Sequence, residues 1–434
     1  MFLGLFPLWL NKMAIPSTNL SEELDSLKNV LRQRGYPIDK YKNHSYLLPL
    51  TPAEPPDPKF KKLLDELYRQ TVGSRRKAFA EELKRQWVYF LLGLSGSALT
   101  HKWLTVSLTK STYSRINSGH KNDNLAYDAI NIIVEYLKEE ELALVLWGGQ
   151  NKSGPNLTRV YPTPGFAALI LPFYLSSSES FDSNHFQVTI NEREHVDTIN
   201  LGEEVKGLPK LHPDRKDLET INSFLKKQKW ACRGPILLKY KNSPLNGGGL
   251  YTRYQELPDK NHRIRINTLI NEEPIYELVF NANHLRLAMA VLHKQDIGET
   301  PYEDIMWIAD IKDRALVRSF VTIAIWARNR DQAHSRWKLN SNDTGTFFKI
   351  ENALKKRFPE LKLYNDWSRQ AQDIEGAILR DIMLAGIEKD VPVLPVNNAI
   401  AIQQRHESWA VESMLESWDK HVDYGRTRLK VSRP

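Results

Sequence analysis

The sequence predicts an α+β protein, and three patterns along the chain support this fold class. Stretches in which apolar residues return every three or four positions, such as 123–141, predict amphipathic helices. Short apolar runs bounded by turn residues, such as "LALVLW" and "VPVLPVNNAIAI", predict strands and hairpins. From about residue 235 the pattern becomes strand-rich and then helical.

The bulk composition is that of a globular chain with a modest positive charge. Its 434 residues are enough for two or three domains, and a hydrophobic content of 41% argues against a disordered protein. The 60 basic and 52 acidic residues give a net charge of +8, which favours a polyanionic partner without requiring one. The single cysteine, Cys232, excludes an internal disulfide and a cysteine-rich zinc site, and it favours a reducing, cytoplasmic location.

The N-terminal region, 1–56, is expected to consist of an arm and a helix. The stretch "MFLGLFPLWL" is apolar for only ten residues, which is too short to cross a bilayer, so we expect no membrane partner. We expect a loosely packed arm or an upstream start codon with Met13 as the usual beginning, and a peripheral anchor is the alternative. Residues 16–31 predict a helix with acidic residues near its start, and the proline-rich segment 49–58 predicts a linker.

The next region, 57–175, is predicted to be a helical domain with a winged helix-turn-helix. Helices are expected over 59–69 and 75–92. Between about 100 and 166 the order is helix, turn, helix, strand, glycine-rich loop, strand, which is typical of a winged helix. The helix over 123–141 is expected to be capped by Asp123 or Asn124.

Several side chains of this predicted winged helix could donate hydrogen bonds to phosphate oxygens. They comprise four in the positioning helix and turn and two on the wing, namely Lys110, Tyr113, Arg115, Lys121, Lys152 and Arg159. The acidic residues Asp128, Glu135 and Glu139 on the second helix would oppose such contacts. A small helical domain that contacts another protein is therefore the alternative to DNA binding.

Residues 176–234 are predicted to be a connector with a possible strand at 186–190 and a helix over 217–230. The remaining domain, 235–434, begins with a strand and a glycine-rich turn. A hairpin that turns at 271–273 then runs straight into a helix starting near Asn281. A long basic helix follows, with Arg314, Arg318, Arg328 and Arg330 beside an apolar stripe, and Trp307, Trp326 and Trp337 are expected in the core.

The C-terminal part resembles the palm and fingers of a compact, phage- and mobile-element-type branch of the family A DNA polymerases. Its first metal-binding motif is a strand that ends in Asp, and "YELVFNANHLR" matches the frame with Val279 at the Asp position. His284 and Arg286 fall where the family has its His and Arg. The fingers Arg and Lys correspond to Arg314 and Arg318.

Two further motifs complete this resemblance, which covers roughly residues 100–434. The last motif is a hairpin that ends in His-Asp, often followed by Ser, and here Asn397, Asn398 and Ala399 occupy these positions. A glycine-glycine-arginine turn ahead of the palm reads "NGGGLYTRYQELP", with Gly249 at the Arg position.

The resemblance implies a polymerase scaffold from which both catalytic carboxylates are missing. Polymerisation needs two carboxylates to hold two divalent ions about 4 Å apart. Valine offers no ligand, and an asparagine carbonyl brings no charge to offset the cost of stripping water from Mg²⁺. We therefore expect no catalytic residue and no cofactor, and the hairpin is expected to be retained for its shape.

The predicted function is nucleic-acid binding, to DNA or RNA, without nucleotide transfer, in a phage, a mobile element, or a defence or replication-control system. Eight residues of the C-terminal part are candidates for the contact, namely Tyr251, Arg253, His284, Arg286, Arg314, Arg318, Arg328 and Arg330. One alternative is an active DNA polymerase in which Glu277 serves as a substitute metal ligand with Mg²⁺. The other alternative is an interaction subunit that grips a protein partner in the old cleft.

Overall fold

We analysed a computed structural model of the chain. It describes residues 44–46, 58–73, 77–100, 103–106, 108, 126–147, 150–151, 154–155, 158–178, 181, 186–192, 195–200, 213–241, 248–258, 263–341, 343–365, 367–424 and 427–432. Helices and small sheets are both present, which confirms the predicted α+β class. Among the described helices, none combines the length and apolar composition needed to cross a bilayer. By its internal contacts the chain divides into two compact units, residues 1–180 with 231–233, and residues 181–230 with 234–434.

Within its described residues, the first unit combines four helices with a four-stranded sheet and a short two-stranded hairpin. In chain order its elements are β1 (His44–Tyr46), α1 (Pro58–Val72), α2 (Lys77–Thr100), β2 (Trp103–Val106), α3 (Tyr127–Glu139), β3 (Ala143–Leu146), β4 (Gln150–Asn151), β5 (Gly154–Pro155), β6 (Thr158–Pro162) and α4 (Pro164–Ser176). The sheet order is β1-β2-β6-β3, and β6 is antiparallel to both β2 and β3.

The helices and strands predicted for the described residues of the first unit are confirmed, with one correction, while the helix predicted over 16–31 lies outside the described residues. The strands expected at "LALVLW" and "LTRVYPT" are β3 and β6. The helix α3 begins at Tyr127 with Ala126 as its N-cap, and no side chain caps it, so the predicted cap was wrong. The proposed capping residues, Asp123 and Asn124, lie outside the described residues. The strand β2, which the sequence did not predict, adds the third antiparallel strand.

The core of the first unit forms where the apolar stripes of α2 and α3 meet the sheet. Trp87 of α2 and Ile133 of α3 are fully buried, and Leu104 and Val160 contribute from β2 and β6. The indole nitrogen of Trp87 donates to the hydroxyl of Thr71 at 2.9 Å, so the polar atom of this core side chain is satisfied. The helical periodicity read from the sequence is therefore the packing face of both helices.

The second unit contains two sheets and eight helices within the described residues. In chain order its elements are β7 (Phe186–Glu192), β8 (His195–Asn200), α5 (Pro213–Leu225), β9 (Leu237–Lys241), β10 (Gly249–Tyr251), β11 (Leu269–Ile270), β12 (Glu273–Phe280), α6 (Asn283–His293), α7 (Pro301–Ala309), α8 (Arg314–Trp326), α9 (Arg330–Ser341), α10 (Thr344–Arg357), α11 (Ser368–Glu388), β13 (Leu394–Val396), β14 (Ala399–Gln403), α12 (Glu407–His421) and β15 (Leu429–Ser432). The sheets are ordered β10-β9-β7-β8 and β11-β12-β14-β13, and β15 also pairs with β12. The segment expected to be a connector, 176–234, thus supplies β7, β8 and α5 to this unit.

The second sheet of this unit holds the two segments that the sequence singled out. The predicted hairpin turn is present, because Asn271 and Glu272 between β11 and β12 both have positive φ angles, of 49° and 67°. The strand β12 is antiparallel to both β14 and β15. The hairpin of β13 and β14 is buried along both strands, and its turn residue Asn397 adopts a left-handed φ of 53°, which asparagine tolerates.

Candidate functional site

The end of β12 and the tip of the β13–β14 hairpin lie side by side. Val279 is paired with Ala399 in the β12–β14 register. The amide nitrogen of Phe280 donates to the carbonyl of Asn398 at 3.1 Å, and the side-chain Nδ2 of Asn398 donates to the carbonyl of Phe280 at 3.0 Å. The structure therefore brings the end of β12 and the hairpin tip together, with Asn398 bound to Phe280, the residue after Val279. The side-chain amide of Asn398 thus binds the backbone of β12 at the end of the β12–β14 ladder.

Glu277 does not offer a free carboxylate at this site. Its side chain is only 3% exposed, and Arg265 contacts both carboxylate oxygens, with Nε to Oε1 at 2.5 Å and Nη2 to Oε2 at 3.1 Å. Nη1 of the same arginine donates to the carbonyls of Leu257 and Gln255 at 2.8 and 3.2 Å. Such a bidentate buried pair fixes the loop before β12 onto the strand. The position suggested as a substitute metal ligand thus has a structural role.

The donor atoms near this site are poor ligands for a metal ion. Val279 has no donor atom, and the amide nitrogen of Asn398 is committed to the strand. Within the described ranges, no group of three or more His, Cys, Asp or Glu side chains is arranged to hold a metal ion.

Arg286 is buried rather than available to a nucleic acid. It is 3% exposed, and its Nε and Nη2 donate to the carbonyls of Asn281 and Glu299 at 2.9 and 3.2 Å. Burial lowers the pKa of its guanidinium, with Asp296 acting in the opposite direction. The predicted contact is therefore corrected, because this side chain holds the start of α6 to the loop that follows the helix.

His284 faces a carboxylate that the sequence did not indicate. Its Nε2 lies 3.4 Å from Oε1 of Glu375 on α11, and its ring packs edge-on against Trp326 at 5.5 Å. Nδ2 of the neighbouring Asn283 donates to the same carboxylate oxygen. Glu375 lies on α11, and only the packing of α11 against α6 shows which residues it meets.

The glycine-rich turn before β10 packs closely on α11. The amide of Gly248 donates to Oδ1 of Asp373 at 2.8 Å, and a Cβ on Gly376 would lie 2.0 Å from the Gly248 carbonyl. Glycine is therefore required at position 376 for this approach. Tyr251, a candidate for base stacking, is half-buried, and burial raises the pKa of its hydroxyl, with Glu375 adding to the effect. Arg253 lies half-buried in the short 3₁₀ helix that follows.

The two arginines of α8 differ in their surroundings. Arg314 contacts Oε1 of Glu303 at 2.6 Å and Oδ1 of Asn281 at 2.9 Å, and its guanidinium lies 5.0 Å from the ring centroid of Tyr302. Asp313, which precedes Arg314, caps α8 by accepting from the amide of Ala315. Arg318 is exposed and forms no ion pair with the described residues. Of the two candidate phosphate ligands, Arg318 has the more accessible charge.

The other basic candidates of the second unit lie at the start of α9. Arg328 is exposed, and Arg330 binds Glu351 of α10 through Nε, at 3.0 and 3.2 Å from the two carboxylate oxygens. Glu351 also accepts from Lys355 and from the hydroxyl of Tyr364, both at 2.9 Å. Burial works to raise the pKa of Glu351, but these hydrogen bonds lower it below its usual value.

The winged-helix candidates of the first unit are only partly described. Arg159 is half-buried in the middle of β6, opposite Thr105 and Leu146. Five others lie outside the described residues, namely Lys110, Tyr113, Arg115, Lys121 and Lys152.

One expectation about the tryptophans was wrong. Trp337 is fully buried, as predicted, and Trp326 is half-buried, but Trp307 is 86% exposed. The short helix α7 buries Tyr302, Ile305 and Ala309 on one face, and Trp307 falls on the opposite face.

Comparisons with known proteins add no family for this chain. A scan against protein-family models gives no match, and a search of curated proteins finds none.

Proposed function

We propose that this chain is a nucleic-acid-binding protein on a polymerase-like frame that does not transfer nucleotides. The register between β12 and β14 carries the proposal, because it pairs Val279 with Ala399, the residue next to Asn398, and so brings together the two strand ends at which the resemblance calls for carboxylates. Two metal ions need anionic ligands at close range. A valine and a committed amide cannot supply them.

The buried ion pair of Glu277 favours a protein without nucleotide transfer over an active polymerase in which Glu277 is a substitute metal ligand. To bind a cation, Glu277 would have to leave Arg265, whose side chain is only 13% exposed. Breaking a buried ion pair leaves an uncompensated charge and typically costs about 3–5 kcal/mol. A polymerase that uses Glu277 as a metal ligand would therefore lose the free energy of the Arg265–Glu277 ion pair, which the observed structure keeps.

The topology of the first unit supports the nucleic-acid half of the proposal. The order α2, β2, α3, β3, β6, with sheet order β2-β6-β3, is the arrangement expected for a winged helix. The short β4–β5 hairpin lies where the wing would be. The positive net charge of +8 is consistent with a polyanionic partner, DNA or RNA.

Two measurements on the full chain test the proposal. Titrating salt against a labelled oligonucleotide is expected to weaken binding by orders of magnitude between about 50 and 200 mM, because phosphate contacts release counterions. Primer extension with Mg²⁺ or Mn²⁺ is expected to give no incorporation. Absence of binding at low salt would refute nucleic-acid binding, and incorporation by the wild type would refute the loss of catalysis.

A restored variant serves as the matched control. Val279→Asp with Asn398→Asp places two carboxylates at the neighbouring positions, so it is expected to gain a Mn²⁺ site that electron paramagnetic resonance detects. The wild type and each single variant are expected to gain none. A double variant that folds as the wild type does but binds no Mn²⁺ would argue against the polymerase-like frame.

A further inference from the structure

The helical hairpin of α9 and α10 carries an unusual share of the positive charge. Residues 330–357 contain seven basic and three acidic residues, so these 28 residues hold half of the net charge of +8. One of the three acids, Glu351, has a side chain that is 1% exposed and is bound by Arg330 and Lys355. The surface that remains is more basic than the composition alone indicates.

An aromatic ring lies on this surface among the charges. Phe348 is 39% exposed, the guanidinium of Arg330 lies 5.0 Å from its ring centroid, and the ring of His334 stacks on it at 5.8 Å with an interplanar angle of 29°. Its neighbour Phe347 is fully buried and packs against Phe320 at 5.0 Å. The exposed ring is therefore anchored by the core below it and held by two side chains of α9.

Exposed lysines extend the surface on both helices. Lys338 lies one turn beyond His334 on the same side of α9, following the spacing of four residues. Lys349 and Lys356 lie two turns apart on the outer side of α10, and all three lysines are exposed. Lys338 and Lys356 form no ion pair with the part of the chain that the structure describes. Their charges are thus available to a ligand.

We propose that this face, formed by Arg330, His334 and Lys338 of α9 with Phe348, Lys349 and Lys356 of α10, binds single-stranded nucleic acid. The inference rests on the proposed function and names the surface and the strand type. Lysines on both helices match the phosphates of a backbone, and an accessible ring offers a platform for a base. A base can stack on a protein ring only when its own face is free, so an unpaired strand fits this surface better than a duplex.

Fluorescence anisotropy with a labelled 20-nucleotide oligothymidylate and with a duplex of equal length tests the inference on the full chain. The variant Lys338→Glu, Lys349→Glu, Lys356→Glu is expected to bind the single strand about 100-fold or more weakly at low salt, since three phosphate contacts become repulsive. The matched control reverses three exposed lysines elsewhere in the same unit, Lys216→Glu, Lys227→Glu, Lys389→Glu, and is expected to stay within about threefold of the wild type.

The aromatic ring is tested separately from the charge. Phe348→Ala is expected to weaken single-strand binding about 5- to 100-fold, the range for losing one stacked base, while Phe348→Tyr keeps the ring and the affinity. Duplex binding is expected to be unchanged in both variants, and thermal melting checks that each is folded.

The outcomes separate the two proposals. If the wild type binds neither oligonucleotide, the proposed function is wrong and this inference fails with it. If the wild type binds but the two triple variants behave alike, the surface lies elsewhere and only this inference fails. Equal losses for single strand and duplex in Phe348→Ala would overturn the assignment of strand type.

Discussion

The solvent faces of α3 in the first unit and of the α9–α10 hairpin in the second carry opposite charges. The described exposed face of α3 presents Asp128, Glu135 and Glu139, and its Lys138 lies over the ring of Trp147 at 5.3 Å. The α9–α10 face presents lysines around an accessible phenylalanine. α3 buries Ile130, Ile133 and Leu137, and α10 buries Phe347, Ile350 and Leu354. The proposed winged helix makes α3 the helix that contacts nucleic acid, whereas the exposed charges favour the proposed α9–α10 face.

This difference shows that the position of a helix in the fold does not by itself make it a binding surface. The residues on its solvent-exposed side must also suit the ligand. The apolar stripe of a helix determines where it packs, while the residues outside the stripe face the ligand. Because phosphates dominate the affinity for nucleic acid, an acidic face opposes binding even in a favourable position.

The largest effect is expected from removing the core under the basic face. Trp337→Ala deletes a fully buried side chain that packs against Phe320 and Phe347, and it is expected to destabilise the second unit by about 3–5 kcal/mol. The matched control is Trp307→Ala, whose side chain is 86% exposed, with a change of less than about 0.5 kcal/mol. Urea unfolding measures both, and equal effects would contradict the assignment of Trp337 to the core.

A smaller effect is expected from the buried carboxylate between the two helices. Glu351→Gln is expected to cost about 1–3 kcal/mol at pH 7, a value reduced because Arg330 and Lys355 are half exposed and water can solvate them. The pKa of Glu351 is lower in the folded protein than in the unfolded chain, so its stabilisation is present above about pH 4.3 and is lost as the pH falls through the folded value.

Unfolding curves of the wild type and Glu351→Gln at several pH values check this dependence. The two proteins are expected to converge in stability once the pH falls below the pKa of Glu351 in the folded protein. A stability difference that stays constant down to pH 2 would show that the loss in the variant is not due to the charge of Glu351.

The smallest effect is expected from reversing the acidic face of α3. Asp128→Lys, Glu135→Lys, Glu139→Lys is expected to change single-strand affinity by less than about threefold, because exposed charges that do not contact the strand are screened at physiological salt. If α3 contacts nucleic acid, the same change removes three repulsive charges and raises the affinity tenfold or more. Anisotropy at about 150 mM salt distinguishes the two results.

Local patterns predicted much of the fold and less of the site. The period of α3, the strands β3 and β6, and the hairpin turn at Asn397 depend on neighbours within a few residues, and all three are confirmed. The β2 strand was missed because four residues, Trp103–Val106, give too short a pattern to distinguish a strand from a continuing helix.

The sequence by itself determined the α+β class, the positions of most helices and strands, and the absence of a carboxylate at Val279 and Asn398, because these follow from residue identity and short-range spacing. Only the tertiary structure decided which charged side chains are paired or buried. Arg265 forms an ion pair with Glu277, and Arg286 donates to backbone carbonyls. Glu375 contacts His284 from a helix about 90 residues further along the chain. It also decided that Trp307 faces solvent and that Phe348 contacts Arg330 and His334. The physical reason is that burial and pairing depend on distances between elements that are far apart in the chain, and no local pattern encodes those distances.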